Sequence, residues 1–101
     1  MKYEISSDGP KTTVHLQDEF SSADRREFDS LMSRVIADGT AEVDVDLRGL
    51  HYMDSVGLGL LITFGSRIGE AQGRFQVSHP EGVVKELLDL SRFDHLFPVR
   101  H

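Results

Sequence analysis

The sequence predicts an α/β domain built on a single mixed, mostly parallel sheet with helices packed against it, and three observations predict it. Tyr3 and Ile5 alternate with polar neighbours, as do Val14 and Leu16, and the turn cluster Ser6-Ser7-Asp8-Gly9-Pro10 lies between them. Two short strands joined as a hairpin follow from that pattern. Ala41 to Arg48 alternates strictly between apolar and charged or polar residues, which predicts a strand with one wet face. Apolar residues then recur at helical spacing in three segments between or after the strands. Strands alternating with helices imply right-handed crossovers and a parallel sheet, to which the N-terminal hairpin adds an antiparallel edge. The order is β-β-α-β-α-β-α, with a short last strand expected at the tail.

The first helix opens at Ser21 and Asp24, spaced as a capping box in which each side chain serves the other's backbone N–H. Phe28, Leu31, Met32, Val35 and Ile36 fall on one helical face, and Gly39 stops the helix. After the alternating strand, Gly49 to Asp54 breaks the two-residue period. The chain then runs into Ser55-Val56-Gly57-Leu58-Gly59-Leu60-Leu61-Ile62, and helical spacing returns from Leu58 to an end near Gly73. Phe75 and Val77 mark a short strand. Pro80 suits the first position of a last helix that carries Val83, Val84, Leu87 and Leu88. The tail Phe93-Asp94-His95-Leu96-Phe97-Pro98-Val99 is apolar enough to pack, and Phe64 and Phe75 read as core.

A chain of 101 residues, 39% hydrophobic and 28% charged, reads as one domain over 1–101. Its 17 acidic against 11 basic residues argue against direct nucleic-acid binding, which rewards dense Lys/Arg patches. The same balance disfavours an anionic membrane surface. Residues 1–54 carry all of the net charge of −6, as a solvated acidic face or as a patch for a basic partner. No cysteine is present, so thiolate chemistry and disulfides are excluded. The longest uncharged, mostly apolar run, Val56 to Ser66, falls far below the ~20 residues that cross a bilayer, and the N-terminus lacks a signal-like apolar stretch. A cytoplasmic protein without membrane insertion, monomeric or weakly dimeric, is expected.

Loops at the carboxyl ends of strands carry the sites of such sheets, which directs attention to Asp54-Ser55. Asp and Ser are good N-caps, so a cap is one reading. Gly57 and Gly59 suggest another, because each glycine costs roughly 1 kcal/mol in a helix and bare backbone admits close approach by a second molecule. Val56, Leu58 and Leu60 between them suggest a small apolar contact patch. No Lys or Arg occurs between Gly49 and Ser66. A phosphate on Ser55, at about −1.5 to −2 charges, would therefore find no local guanidinium and would lie beside Asp54. Buried unpaired in an interface, such a charge costs ~3–5 kcal/mol, which weakens binding roughly a hundredfold or more.

Asp54-Ser55-Val56-Gly57-Leu58-Gly59-Leu60-Leu61, preceded by Val43-Asp44-Val45-Asp46-Leu47-Arg48-Gly49-Leu50, strongly resembles the signature of STAS domains of the anti-sigma factor antagonist family. The Phe93–Phe97 ending resembles that family's tail, and the element order matches across nearly the whole chain. The resemblance implies a STAS-like fold and a non-enzymatic partner switch that uses no cofactor. The unmodified protein would bind an anti-sigma factor that is also a serine kinase. Phosphorylation of Ser55 would end that contact, and a PP2C-type phosphatase would reset it. Asp54, Ser55, Val56, Gly57, Leu58 and Gly59 would form the partner-binding surface. Val56 stands where many relatives have a second hydroxyl, Gln17-Asp18 replaces a common glycine, and many relatives carry one more C-terminal helix. Short STAS proteins without that helix include binding subunits of lipid-transporting ABC complexes, the alternative role.

Weaker signals point elsewhere. His15, His51, His79, His95 and His101 show no helical pairing and no cysteine companion, so no metal site is expected. His51, Asp54 and Ser55 include the three residue types of a catalytic triad but crowd into five positions, which makes the required geometry difficult. Glu42, Asp44 and Asp46 read as a wet strand face.

Overall fold

A computed structural model describes residues 1–39 and 41–101. Strands β1 (Lys2–Asp8) and β2 (Lys11–Phe20) form the hairpin, turning through Gly9 and Pro10 alone. Helix α1 (Arg25–Ala37), strand β3 (Glu42–Met53), helix α2 (Ser55–Glu70), strand β4 (Arg74–Ser78), helix α3 (Gly82–Leu90) and strand β5 (Val99–Arg100) follow. The sheet order is β1-β2-β3-β4-β5, with β1 antiparallel to β2 and every other pair parallel. This is the expected architecture.

Three local expectations change. The capping box at Ser21 and Asp24 forms, but it caps a 3-10 turn over Ser22–Asp24, and α1 begins one residue later. Strand β3 does not end near Arg48. Its pairing with β2 shifts register between His15 and Gln17, so the chain stays extended to Met53 although its two-residue period is lost. Helix α2 starts at Ser55, in keeping with a cap at Asp54-Ser55. Pro80 lies outside α3, whose N-cap is Glu81.

Right-handed crossovers that each step one strand outward place the helices on one face of the sheet. Val14, Leu16, Val43, Val45, Leu47 and Val77 meet them there, and all are buried in one apolar cluster with Phe28, Leu31, Met32, Leu61, Phe64, Val84 and Leu88. Rings run through this core from Phe20 to Phe28, Phe64, Phe75, Phe97 and Phe93, with successive centroids 4.6 to 5.6 Å apart. Offset and edge-on packing of this kind adds roughly 0.5–1.5 kcal/mol per pair beyond area burial. The opposite face is polar, carrying Lys11, Thr13 and His15 from β2, Glu42, Asp44 and Asp46 from β3, and Arg74, Gln76 and Ser78 from β4 in register.

The tail is bolted to α2 by shape. A Cβ built on Gly65 would lie 2.4 Å from the Phe97 ring, so only a bare helix surface admits that ring. Gly65→Ala is expected to lower stability by about 1–3 kcal/mol, read as a lower denaturation midpoint with an unchanged slope.

Candidate functional site

Asp54 follows β3 in extended conformation and caps α2. Its Oδ1 accepts the Gly57 N–H at 2.9 Å, and its Oδ2 accepts the Ser22 N–H at 3.3 Å. Its own N–H donates to the Phe20 carbonyl at 3.3 Å, while its carbonyl accepts the Leu58 N–H at 3.0 Å. One residue thus holds the end of β2, the turn before α1 and the first turn of α2.

Because Asp54 supplies the cap, Ser55 does not have to. Ser55 is the first helical residue and is exposed, and its hydroxyl has no hydrogen-bond partner among the described residues. A guanidinium near Ser55 would find Asp54 first, yet Asp54 joins no ion pair among the described residues. Arg67 lies twelve residues along α2, about 18 Å away at 1.5 Å per residue. Arg25 and Arg26, at the start of α1 on the adjoining element, are exposed.

The two glycines do different jobs. A Cβ on Gly57 would stand 2.6 Å from the Phe20 carbonyl oxygen and 2.9 Å from the Met53 side chain, so the close approach that requires Gly57 is made by its own chain. That contact accounts for the bare backbone at Gly57 without a second molecule. Gly59 is exposed with nothing within 4 Å of its Cβ position, and it remains open to a partner. The expected apolar patch is smaller than the alternation suggested. Leu60 is buried, and Val56 and Leu58 are half-buried against the core. What α2 presents outward at this end is Ser55 and Gly59, one turn apart on a single face.

His51 is exposed and makes no side-chain hydrogen bond to Asp54 or Ser55, so the residues crowded into that stretch do not assemble a triad. The acidic strand is less wet than expected. Asp44 is 7% exposed, with Lys11 Nζ 3.9 Å from Oδ2 and no partner on Oδ1. It lines a groove of about 570 Å³ on the polar sheet face together with Arg74, Ser78 and Arg100. The described residues include no cluster of three or more His, Asp or Glu arranged for a metal ion. None of their helices is long and apolar enough to cross a membrane.

The family described as "Mlab, STAS domain" matches residues 4–98. The chain belongs to the STAS domain family. It is 29% identical over 94 residues to a STAS-domain containing protein of Pseudomonas aeruginosa, covering 93% of this chain and 92% of that one. Its fold is similar to that of an anti-sigma factor antagonist from Mycobacterium paratuberculosis, with a TM-score of 0.88 and 20% identity over 98% of this chain and 84% of that one. It is also similar to the Bacillus cell fate determinant SpoIIAA in its phosphorylated form, with a TM-score of 0.75 and 16% identity over 97% and 90% of the two chains.

The STAS domain's helix start separates three effects that substitution can read apart. Asp54→Ala is expected to cost about 0.5–2 kcal/mol through the lost cap. Gly57→Ala is expected to destabilise through the 2.6 Å clash with backbone, whereas Gly59→Ala, in open space, is expected to stabilise by about 1 kcal/mol. Urea denaturation of the three variants checks the order, and Gly57→Ala more stable than Gly59→Ala would contradict it.

Proposed function

We propose that this STAS domain is a cytoplasmic anti-sigma factor antagonist, a regulator rather than an enzyme, whose partner contact is switched at Ser55. The unmodified chain binds an anti-sigma factor that is also a serine kinase, with Asp54, Ser55, Val56, Gly57, Leu58 and Gly59 forming or shaping the contact. Within that set, Ser55 and Gly59 touch the partner, Asp54 and Gly57 fix the helix start, and Val56 and Leu58 back it from the core side. Phosphorylation of Ser55 ends the contact, and a PP2C-type phosphatase restores it.

The observation that carries the reading is the exposed Ser55 hydroxyl, spared from capping by Asp54 and without a hydrogen-bond partner among the described residues. A kinase needs an accessible hydroxyl at a fixed place, and this one sits on a rigid first turn. The helix N-terminus tolerates a phosphate, favouring it by roughly 0.3–1 kcal/mol, so modification leaves the fold standing. A closely apposed partner does not tolerate it. An unpaired dianion trapped at the interface costs ~3–5 kcal/mol, a hundredfold or more in affinity. The fold shared with SpoIIAA, solved in phosphorylated form, is consistent with a domain that survives the modification.

The alternative role is a binding subunit of a lipid-transporting ABC complex, which the STAS match over residues 4–98 suits equally. It uses the same exposed helix start without the switch, and ATP would then leave the complex intact.

With its cognate kinase and ATP, the protein is expected to gain one phosphate by intact-mass measurement, and Ser55→Ala none. Ser55→Asp is expected to weaken the kinase complex by tenfold or more in calorimetry while the melting temperature stays within a few degrees. Tight binding by Ser55→Asp, or phosphate on Ser55→Ala, would overturn the switch.

A further inference from the structure

The hairpin brings together three side chains that sequence spacing kept apart. Ser6 on β1, His15 on β2 and Asp46 on β3 lie side by side across the polar face of the sheet. Ser6 Oγ is 3.1 Å from His15 Nε2, and His15 Nδ1 is 3.0 Å from Asp46 Oδ2. Strand register produces this. His15 pairs directly with Asp46 across the parallel ladder, and Ser6 is its diagonal neighbour across the antiparallel one, because Glu4 pairs with His15 and Ser6 with Thr13.

The atoms are matched in role as well as in distance. Asp46 accepts the Arg48 N–H at 2.9 Å on its other oxygen. Burial opposes its ionisation, but the Arg48 and His15 hydrogen bonds outweigh burial and hold its carboxyl below the ordinary 3.8. An ionised Asp46 only accepts, so His15 Nδ1 must carry the proton. In the neutral ring Nε2 is then a lone pair facing the Ser6 hydroxyl. A hydroxyl, a base that accepts its proton and a carboxylate that fixes the base's tautomer are the parts of an activated serine. Ser6 is exposed, and β1 is an edge strand whose outward backbone N–H groups have no strand partner among the described residues, leaving donors beside it for a developing oxyanion.

We propose that Ser6 is an acylation site, activated by His15 and Asp46, that takes an acyl group from an activated ester. Ser6 Oγ bonds to the acyl carbon as the bond to the leaving oxygen breaks. The serine proton passes to His15 Nε2, the electron pair of the broken bond leaves with the alcohol oxygen, and the imidazolium then protonates that oxygen. Ser6 gains one acyl ester, far from the first turn of α2 in the chain and independent of any kinase.

The full chain is incubated with p-nitrophenyl acetate and acetyl-serine is mapped by peptide mass spectrometry, with exposed Ser30 and Ser33 on α1 as internal references. Ser6 is expected to acetylate about tenfold or more faster than either reference, and His15→Gln to remove that advantage. Nitrogen-15 NMR of the unsubstituted protein reads the same geometry without a variant: His15 is expected to be protonated on Nδ1 with Nε2 free when neutral, and Asp46→Asn to abolish that preference. Ser6 labelling no faster than Ser30, labelling unchanged in His15→Gln, or a neutral His15 protonated on Nε2 would overturn the assignment.

Discussion

The Asp54 carboxylate is the constraint on which the proposed site depends. One oxygen closes the first turn of α2 through Gly57, and the other ties down the turn that precedes α1 through Ser22. A helix start has four backbone N–H groups without intrahelical partners, and a serine beside such a start is ordinarily drawn in to satisfy one. Here the preceding residue does that work, so the Ser55 hydroxyl is exposed and without a hydrogen-bond partner among the described residues. Gly57 completes the arrangement by letting the helix backbone settle onto the Phe20 carbonyl, and any side chain there would lift the first turn off the sheet.

Much of the architecture was legible in the sequence because its signals were periodic. The α1 stripe, the Val43–Leu47 alternation and the capping box at Ser21 each correspond to a single physical requirement, and each formed. What escaped were features set by pairing between distant segments. Nothing local indicates that β3 continues to Met53, because its extension is enforced by the long β2 beside it and by a register shift. Pro80 suited a helix start by its fixed φ, but α3 begins two residues later, after Glu81.

The candidate site divides the same way. Asp54 and Ser55 were readable as a cap and a hydroxyl, although which residue takes which job is fixed by the Gly57 hydrogen bond. The two glycines looked alike in sequence and differ entirely in what surrounds them: one faces backbone and the other open space. The Ser6–His15–Asp46 chain was invisible, since its members lie 9 and 31 residues apart and only strand register brings them together. Asp44 counted as one tooth of a wet acidic comb, yet the flanking strands bury it.

The proposed switch requires that a phosphate at Ser55 have no counter-charge within its own fold, and phosphorus-31 NMR of the Ser55-phosphorylated protein measures that directly. Titrated between acid and neutral pH, the phosphate's second ionisation is expected near the free value of about 6, with Asp54 and the helix N-terminus acting in opposite directions. A value depressed by more than about one unit would mean that a guanidinium, such as Arg25 or Arg26 on the adjoining element, pairs with the dianion. That result would contradict the switch by uncompensated charge.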